Sequence, residues 1–447
     1  MLIEFRVSNY RSIGEEQIIS LVPAQKQRDH KENILQVGNY QVLNAVAFYG
    51  PNSGGKSNLL LAMSLLDRLV HLSARSSSTT ALPYYPFLLR EGWMDKPTKF
   101  EITFIAGNSR YRYGLEFTKK QIISEWLFRK DLSREVNLFL RDNDIIDTKP
   151  GLTGGKKVID AAIEATRPNA LFLSICDMLN VEEAKKIMRW FRNFSMIDGL
   201  NTEEQEFQTV DLWQNPIYRK QIKGFLSSLR LGIADLDIRT KEFDESQLPD
   251  NMPNTMRIEL AQELKNSKTY TIFSEHHFYN KDGKLTNKRV RFNFKENESQ
   301  GSIRALHLSG PVLWALTNGG TLIIDEIEAK MHTILTLNTI SFFLNKDTNP
   351  NNAQLIFATH DTNILRYSKL RRDQIYFAEK NAWESTEIFS LSDFKYLGEK
   401  GERVISEKER PDSDKEKRYI EGRYGAIPEF SELRSFITKQ RWLKEEY

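Results

Sequence analysis

The stretch that most constrains this chain is a glycine-rich segment between an apolar run and the start of a helix. Val42–Tyr49 has the composition of a buried strand. Gly50, Gly54 and Gly55 then allow positive φ and close backbone approach, so successive N–H groups can point into one concavity. The helix that we expect to begin near Lys56 adds the positive end of its dipole at the same place. A loop of this kind suits a bound phosphate group.

The spacing Gly50-x-x-x-x-Gly55-Lys56-Ser57 fits the P-loop pattern, with a strand before it and a helix after it. Lys56 supplies a mobile cation and Ser57 a hydroxyl suited to Mg²⁺. A purely structural glycine turn is the alternative, and the flanking elements favour nucleotide binding. The candidate nucleotide-binding residues of this segment are Gly50, Pro51, Asn52, Ser53, Gly54, Gly55, Lys56, Ser57 and Asn58.

Length and composition restrict the remaining possibilities. At 447 residues the chain is long enough for two or three lobes, and its formal charge of +3 gives no strong overall field for nucleic acid. Cys176 is the single cysteine, which excludes an internal disulfide framework and a cysteine-rich zinc site. The N-terminus lacks a signal-peptide pattern, and no apolar run is long enough to cross a bilayer. We therefore expect a cytoplasmic protein.

The hydrophobic patterns predict an α/β fold. Alternation predicts a strand pair within residues 1–22 around a turn that exposes Arg11, a loop over residues 23–40 and an antiparallel meander over residues 100–128. A hairpin is expected within residues 269–294, and no long coiled coil. Apolar residues at three- and four-residue spacing predict the helices Lys157–Thr166, Leu171–Phe194, Asp211–Leu231 with a break at Pro216, and Asn254–Lys265.

These elements divide the chain into four predicted parts. Residues 1–150 and 269–390 form the two halves of a head domain, with a mixed sheet around helices and an antiparallel β subdomain. Residues 151–268 form a mainly helical inserted lobe, and residues 391–447 form a C-terminal tail.

A second apolar run, Thr321–Ile324, ends in the carboxylates Asp325 and Glu326. A buried parallel strand that ends at a site has this pattern. Phosphoryl transfer to water needs one group to hold Mg²⁺ and another to orient and deprotonate the water, and these two carboxylates suit those tasks. A helix N-cap after a strand is the alternative.

Two further segments are candidates for phosphate contact. Leu355–Ala358 is an apolar run followed by Thr359 and His360, and a histidine at a strand end can hydrogen-bond a terminal phosphate. An ordinary surface histidine is the alternative. Ser299 and Gly301 precede an apolar helix, where they could supply donors to a phosphate or simply cap the helix.

The order of these pieces resembles the ABC-type ATPases of the SMC and RecF group. The opening strand and turn, Ile3–Ile13, is also similar to theirs. Other segments resemble the small AAA/ABC-type ATPases of bacterial defence operons, which include abortive-infection and restriction-linked ATPases of the RloA type. These segments are Ser124–Leu127, Asn169–Ser174, Glu298–Gly301, Asp373–Phe377 and Arg423–Pro428.

The resemblance implies an ABC/SMC-type P-loop ATPase head and a head-to-head homodimer, or a higher homo-oligomer, with ATP and Mg²⁺ at the interface. It also implies a role for each matching residue: Lys56 and Ser57 on the phosphates and Mg²⁺, Asp325 as support for the metal, Glu326 as the general base, His360 as the γ-phosphate sensor, Arg11 near the phosphates, and Ser299 and Gly301 on the partner's nucleotide.

Two positions depart from the family's pattern. After the Asp-Glu pair the family continues with Asp, a small residue and Leu-His-Pro, whereas this chain continues with Ile327–His332. The usual cross-dimer contacts of that loop are therefore not implied here. The glutamine that senses Mg²⁺ has no clear counterpart. Gln121 and Glu125 are candidates, with strand packing as the alternative for both.

The functional hypothesis is an ATPase that acts as sensor and switch in anti-phage defence. The chain after Ser390 is too short for a fused Toprim domain, so we expect a separate effector, a Toprim-type or other nuclease, with a phage protein or nucleic acid as trigger. One alternative is a RecF-like ATPase of DNA repair or recombination that binds DNA through Lys185, Lys186, Arg189 and Arg192, which could equally form a solvated helix face. A scaffold that binds ATP with little turnover is a third reading.

Overall fold

The computed structural model describes residues 1–25, 27–131, 134–199, 203–245, 248–249, 252–264, 268–393, 395–400, 403–408 and 413–427. Much of the predicted C-terminal tail, including residues 428–447, and the predicted helix end at Lys265 lie outside the described residues. No described helix is both long and apolar enough to cross a membrane.

The strands are β1 (Leu2–Ser8), β2 (Gln17–Ser20), β3 (Ile34–Val37), β4 (Tyr40–Leu43), β5 (Ala45–Tyr49), β6 (Thr98–Ala106), β7 (Ser109–Phe117), β8 (Ile122–Lys130), β9 (Glu135–Asp142), β10 (Ile145–Thr148), β11 (Phe194–Asp198), β12 (Asp235–Glu242), β13 (Lys268–Tyr279), β14 (Leu285–Asn293), β15 (Thr321–Asp325), β16 (Gln354–Ala358), β17 (Ile375–Lys380), β18 (Thr386–Ser390), β19 (Lys395–Lys400) and β20 (Arg403–Lys408).

The helices are α1 (Lys56–Leu72), α2 (Lys156–Ala165), α3 (Phe172–Met178), α4 (Glu182–Phe191), α5 (Glu203–Trp213), α6 (Pro216–Ser228), α7 (Asn254–Leu264), α8 (Phe294–Asn297), α9 (Gln300–Asn318), α10 (Thr333–Leu344), α11 (Asn363–Tyr367) and α12 (Lys415–Ile420). The chain forms two compact units: Met1–Gly199 with Ala315–Glu328 and Thr339–Tyr447, and Leu200–Trp314 with Ala329–Asn338.

The first unit contains two large sheets. One is antiparallel, in the order β10-β9-β8-β7-β6-β1-β2, and includes the predicted meander. The other has the order β11-β15-β16-β5-β17-β18, in which every pairing is parallel except β17 with β18. Helix α1 places Leu59, Met63, Leu66 and Val70 in a core cluster that also contains apolar side chains of both sheets. The buried strand β5 therefore delivers the glycine-rich loop to the edge of a parallel sheet.

The second unit contains the antiparallel sheet β12-β13-β14 and helices that pack closely. Gly310 in α9 donates its N–H to the Thr209 hydroxyl of α5 at 3.1 Å, and a Cβ at Gly310 would lie 2.4 Å from that oxygen. Buried Glu206 lies 2.9 Å from His307 Nε2 and 2.9 Å from Lys295 Nζ. Burial raises the pKa of Glu206, but hydrogen bonds from these two partners outweigh it, and the pKa is lowered to about 2. The unit thus has its own helix contacts and a buried charged group.

The fold class expected from the sequence is confirmed: the protein is α/β, with a mixed sheet, an antiparallel sheet and no long coiled coil among the described residues. The limits of the four predicted parts remain a prediction. The expected break before Pro216 is present, because Asn215 caps α6 by accepting the Ile217 N–H.

Two local predictions are wrong, and one strand was missed. Residues 23–40 are not all loop, since β3 pairs with β4 around Gly38. Leu171–Phe194 is not one helix, because Asn180 takes positive φ (63°) between α3 and α4. Strand β11 was not predicted, and it adds a parallel edge strand beside β15.

Candidate nucleotide site

Four strands bring polar segments to one edge of the six-stranded sheet. Strands β5, β16, β15 and β11 are mutually parallel, so their carboxyl ends meet on the same side. Gly50 follows β5, Thr359 follows β16, Asp325 ends β15 and Asp198 ends β11. The sheet therefore brings together the glycine-rich loop, the Asp-Glu pair and the Thr-His pair, as the sequence predicted, and adds Asp198.

The glycine-rich loop lies against the neighbouring strands so closely that it excludes side chains. A Cβ at Gly50 would lie 2.1 Å from the Ala378 carbonyl oxygen, and a Cβ at Gly55 would lie 2.0 Å from Thr386 Oγ1. Gly55 also has a φ of 101° and precedes α1 with no side-chain cap. The first N–H groups of α1 therefore remain available to an anion at the helix N-terminus.

The rest of the loop is a turn that faces outward. Gly54 donates its N–H to the Pro51 carbonyl at 3.1 Å, while Asn52 and Ser53 are exposed. Ser53 has a φ of 65°, which is uncommon for a residue with a side chain. The loop therefore presents its tip to solvent and its glycines to the sheet.

Lys56 folds back over the loop. Its Nζ donates to the carbonyl oxygens of Gly50 and Pro51, at 2.9 and 3.1 Å. Burial lowers the pKa of Lys56 to about 8, although the carboxylates of Asp325, Glu328 and Glu326 oppose that shift. The ammonium group is thus held within reach of the loop and of the carboxylates at the strand ends.

Asp325 has an oxygen that the described residues leave unused. Its Oδ1 is buried without a hydrogen-bond partner, and its carboxylate is hydrogen-bonded to Ser57. Burial raises the pKa of Asp325, with the charge of Asp198 adding to the shift and the Ser57 bond opposing it. A serine hydroxyl beside a carboxylate with a free oxygen is a donor set that fits Mg²⁺.

Glu326 has the environment of a proton acceptor. Burial raises its pKa, and Asp325, Glu328 and Asp198 raise it further, while Lys56 opposes them. Its φ is 47°, an uncommon conformation for a residue with a side chain. Gly199, which follows β11, packs directly against the backbone of Asp325 and Glu326. A Cβ at Gly199 would lie only 2.1 Å from the Asp325 carbonyl oxygen. A base with a raised pKa near a strand end suits activation of water.

His360 lies at the end of β16, next to the glycine-rich loop's own strand. The preceding Thr359 donates its N–H to the Phe48 carbonyl at 3.0 Å. The His360 N–H donates to Glu328 Oε1 at 2.6 Å. Burial and then Lys56 lower the pKa of His360, with Glu328 and Asp325 opposing, and a lowered pKa favours the neutral imidazole.

Arg11 lies on a turn that is attached to the first turn of α1. The adjacent Ser12 accepts a hydrogen bond from Asn58 at 2.7 Å, and its hydroxyl lies 2.8 Å from that of Thr386. The Arg11 guanidinium is exposed and lies over the Tyr85 ring at 5.1 Å. Asn58 and the Arg11 turn are thus linked beside the glycine-rich loop.

Ser299 and Gly301 belong to the second unit, where they begin α9. The Ser299 hydroxyl accepts the Ser302 N–H at 3.1 Å and lies 3.0 Å from the Ser302 hydroxyl. A Cβ at Gly301 would lie 3.2 Å from the Lys330 carbonyl oxygen. Of the two uses left open by the sequence, the cap contact is present.

The two candidates for the missing glutamine have contacts elsewhere. Glu125 is fully buried and accepts the Tyr113 hydroxyl at 2.9 Å and the N–H groups of Phe172 and Leu173 at 2.7 and 3.0 Å. Gln121 donates to Asn143 at 3.2 Å. The Glu125 bonds join the antiparallel sheet to α3, and the Gln121 bond joins the residues next to β8 and β9. These contacts correspond to the strand packing that the sequence offered as the alternative.

Sequence reasoning missed Asp198 and Glu328. Asp198 pairs with Asp325 in register across β11 and β15. Glu328 holds the His360 backbone, and its Oε2 is buried without a hydrogen-bond partner among the described residues. The sequence signal for Glu328 was its position two residues after Glu326. Asp198 had no signal, because its strand was not recognised.

Comparisons with known proteins give a family. A family model described as "AAA domain, putative AbiEii toxin, Type IV TA system" matches residues 45–366. Among curated proteins no match is found.

Solved structures similar to this chain include the SMC head domain from Thermotoga maritima, with 12% identity, 87% of this chain and 98% of that chain covered, and a TM-score of 0.39. The recombination mediator protein RecF in the RecFOR pathway is similar in two structures. The RecF-ATPrS structure has 13% identity, with 87% of this chain and 98% of that chain covered and a TM-score of 0.30. The RecF-ATP structure has 13% identity, with 81% of this chain and 94% of that chain covered and a TM-score of 0.29.

Proposed function

Because this chain belongs to the AAA-domain family whose model matches residues 45–366, we propose that it binds and hydrolyses ATP at the carboxyl edge of the six-stranded sheet. The observation that carries the proposal is the Asp325 carboxylate. Its Oδ1 is buried without a hydrogen-bond partner among the described residues, while Ser57 is hydrogen-bonded to the same carboxylate and Lys56 lies near it. An unpaired buried oxygen costs stability, and a cation between the strand edge and a phosphate would satisfy it.

The assigned roles follow from the chemistry of each group. The α1 N-terminus and Lys56 bind the phosphates, and Ser57 with Asp325 holds Mg²⁺, which neutralises phosphate charge. In this proposal water and the nucleotide's phosphates supply the other magnesium ligands, as is usual for Mg²⁺. Glu326 accepts a proton from the attacking water, and His360 donates to the terminal phosphate.

Hydrolysis requires a second copy of the chain in this proposal. Ser299 and Gly301 supply donors to the nucleotide of the partner, and ATP closes the homodimer. Arg11 lies near the phosphates. The support is the resemblance of the Ser299–Gly301 segment to the family's cross-dimer motif and the exposed position of Ser299. A closed dimer then acts as the signal.

Nucleotide binding and phosphate release test the first part of the proposal. Wild-type protein is expected to bind fluorescent ATP in the presence of Mg²⁺ and to release phosphate, and Lys56→Ala is expected to lose both. Lys96→Ala is the matched control, because the Lys96 ammonium lies 4.0 Å from the centre of the Trp93 ring, in a contact that serves no phosphate. Equal binding by wild type and Lys56→Ala would contradict the proposal.

We further propose that the ATP-bound dimer is the sensor and switch of an anti-phage defence system and controls a separate effector nuclease. The support is the family's description, which includes toxin systems, together with the position of Lys56, Asp325, Glu326 and His360 at one sheet edge. Co-expression with the neighbouring genes and pull-down in each nucleotide state tests this idea. Absence of a partner in every nucleotide state would refute it.

The RecF-like alternative predicts direct DNA binding. It expects duplex DNA to stimulate ATP hydrolysis and added salt to remove the stimulation, since phosphate contacts release counterions. A switch that acts through an effector alone predicts hydrolysis that is insensitive to duplex DNA.

A further inference from the structure

A cavity of about 610 Å³ lies between the C-terminal part of α1 and the helices α3 and α4. Its walls are fixed to one another. The Ser174 hydroxyl of α3 donates to the Val70 carbonyl of α1 at 2.7 Å, and the His71 ring of α1 lies edge-to-face with Phe191 of α4 at 6.4 Å. Cavities of this size in proteins hold small organic ligands.

The cavity carries a strong excess of positive charge. Arg75, Lys185, Arg189 and Arg192 line it, against the single carboxylate of Asp177. Lys185 is paired with Glu182, which lies outside the lining. Within the described part of the chain, the guanidinium groups of the three arginines form no hydrogen bond and no ion pair. Lys185 has the largest effect in lowering the pKa of the Glu182 carboxyl, and Arg189 lies close enough to lower that pKa further. Three guanidinium groups whose N–H donors are not used in hydrogen bonds are suited to a phosphate.

The remaining lining is apolar. Val70 and Ala74 of α1 contribute aliphatic surface, and Met178 and Met188 contribute thioether side chains, of which Met178 is exposed and Met188 half-buried. Methionine adapts its shape to a flat ligand. Guanidinium planes also stack on nucleobases. Phosphate-binding groups and an apolar face therefore occur in one cavity.

We propose that this cavity, which is distinct from the glycine-rich loop, binds a nucleotide unit, with its phosphate on Arg75, Arg189 and Arg192 and its base against Met178 and Met188. A free mononucleotide or dinucleotide and the phosphorylated end of a single strand share this chemistry. A duplex is the contrasting case, because its bases are paired and stacked and none is free to lie against Met178 and Met188.

The position of the cavity gives the ligand a route to the ATP site. Val70 and His71 belong to the last turn of α1, and Lys56 begins the same helix. A helix of this length spans about 25 Å at 1.5 Å per residue. A ligand that orders the last turn of α1 would therefore act on the element that positions the phosphate loop.

Isothermal titration of the full chain at low salt tests the proposal. The probes are adenosine monophosphate, the dinucleotide pApA, a short 5′-phosphorylated oligothymidylate and a duplex of the same length. At least one of the first three probes is expected to bind to wild type and equally to Lys56→Ala. The double variant Arg189→Ala/Arg192→Ala is expected to weaken binding by about tenfold or more, because charge-assisted phosphate bonds are lost.

Lys186→Ala is the matched control. Lys186 lies on α4 among the same basic residues but does not line the cavity, so its loss should change affinity by less than about twofold. Tighter binding of the free nucleotides identifies them as the source, and tighter binding of the oligothymidylate identifies a strand end.

Several results would overturn the proposal. These are no binding of any probe, binding that Lys56→Ala abolishes, tighter binding of the duplex than of all three other probes, or an equal loss in Lys186→Ala and the double arginine variant. Since the arginines are exposed, the variants are expected to fold, and circular dichroism confirms this independently.

Discussion

The sheet edge and the start of α9 both carry residues that we propose contact nucleotides, but they differ in how completely the fold uses their polar atoms. At the sheet edge, Asp325 keeps a buried oxygen without a hydrogen-bond partner, and the loop at Gly55 excludes any side chain. At the start of α9, the Ser299 hydroxyl already accepts the Ser302 N–H.

This difference separates a carboxylate that has an unused oxygen from a serine that must exchange a bond. The sheet edge can receive a nucleotide without breaking an internal contact of Asp325. Ser299 must share or exchange its cap bond to reach a phosphate, and an N-cap bond is worth about 1 kcal/mol. We therefore expect the sheet edge to determine ATP binding, and the start of α9 to be needed for hydrolysis but not for binding.

The largest expected effect concerns Glu326 at the sheet edge. Glu326→Gln removes the proton acceptor and is expected to lower ATP hydrolysis by about 10²–10⁴-fold while ATP binding is retained. Phosphate release and fluorescent ATP titration measure the two quantities. Glu328→Gln is the control, because the amide oxygen can still accept the His360 N–H, and a much smaller loss is expected. Unchanged hydrolysis in Glu326→Gln would favour the scaffold reading.

The second effect tests how closely the loop fits the sheet. Gly55→Ala combines left-handed strain of about 1–2 kcal/mol with overlap against Thr386, which adds about 1–3 kcal/mol. Gly92→Ala is the control, since Gly92 also has positive φ but would place its Cβ in open space. Urea unfolding is expected to show a larger loss for Gly55→Ala, and equal losses would show that the loop is not pressed against β18.

The third effect is a pH dependence that arises from Lys56. Its pKa of about 8 in the ligand-free protein lies below the ordinary 10.5, so the ammonium charge is lost as pH rises through 8. Phosphate binding needs that charge, so ATP affinity is expected to fall by roughly tenfold by pH 9. Between pH 8 and 10.5 the unfolded chain binds more protons at Lys56 than the folded chain, so this group's contribution to stability rises with pH.

Lys56→Arg is the control for this prediction, because a guanidinium remains charged over the whole range. Its ATP affinity is expected to be independent of pH between 7 and 9, whatever its absolute value. A flat profile for the wild type would contradict a lowered pKa at Lys56.

The smallest expected effect is a loss of stability at the start of α9. Ser299→Ala removes the cap acceptor and is expected to lower the free energy of unfolding by about 1 kcal/mol. Ser299→Thr keeps a hydroxyl and should retain most of that stability. Thermal unfolding compares the two, and an unchanged stability in Ser299→Ala would show that the serine is not committed to its helix.

The sequence predicted the parts of the site that follow apolar strands. Lys56, Asp325 and His360 could be placed because each comes directly after a buried run or its turn, and parallel strands end at a common edge. Asp198 could not be placed, since β11 is a short strand immediately after a helix. The use of Ser299 stayed open because capping and phosphate binding need the same oxygen.

Other features depend on contacts between distant segments. The cavity beside α1 brings Arg75 together with Arg189 and Arg192. In the sequence, strands β6 to β10 and helices α2 and α3 lie between Arg75 and the other two arginines. The break between α3 and α4 depends on the positive φ of Asn180, which periodicity does not reveal. Local pattern identifies strand ends well and identifies shared surfaces poorly.

The most direct test of the composite ATP site is a mixing experiment with Lys56→Ala and Ser299→Ala. Each variant alone is expected to hydrolyse little ATP, because every site in its homodimer lacks one component. Mixing them forms heterodimers in which one site has both Lys56 and Ser299, so hydrolysis is expected to rise above the sum of the separate rates. A mixture that equals that sum over a range of protein concentrations would contradict a site shared between two copies.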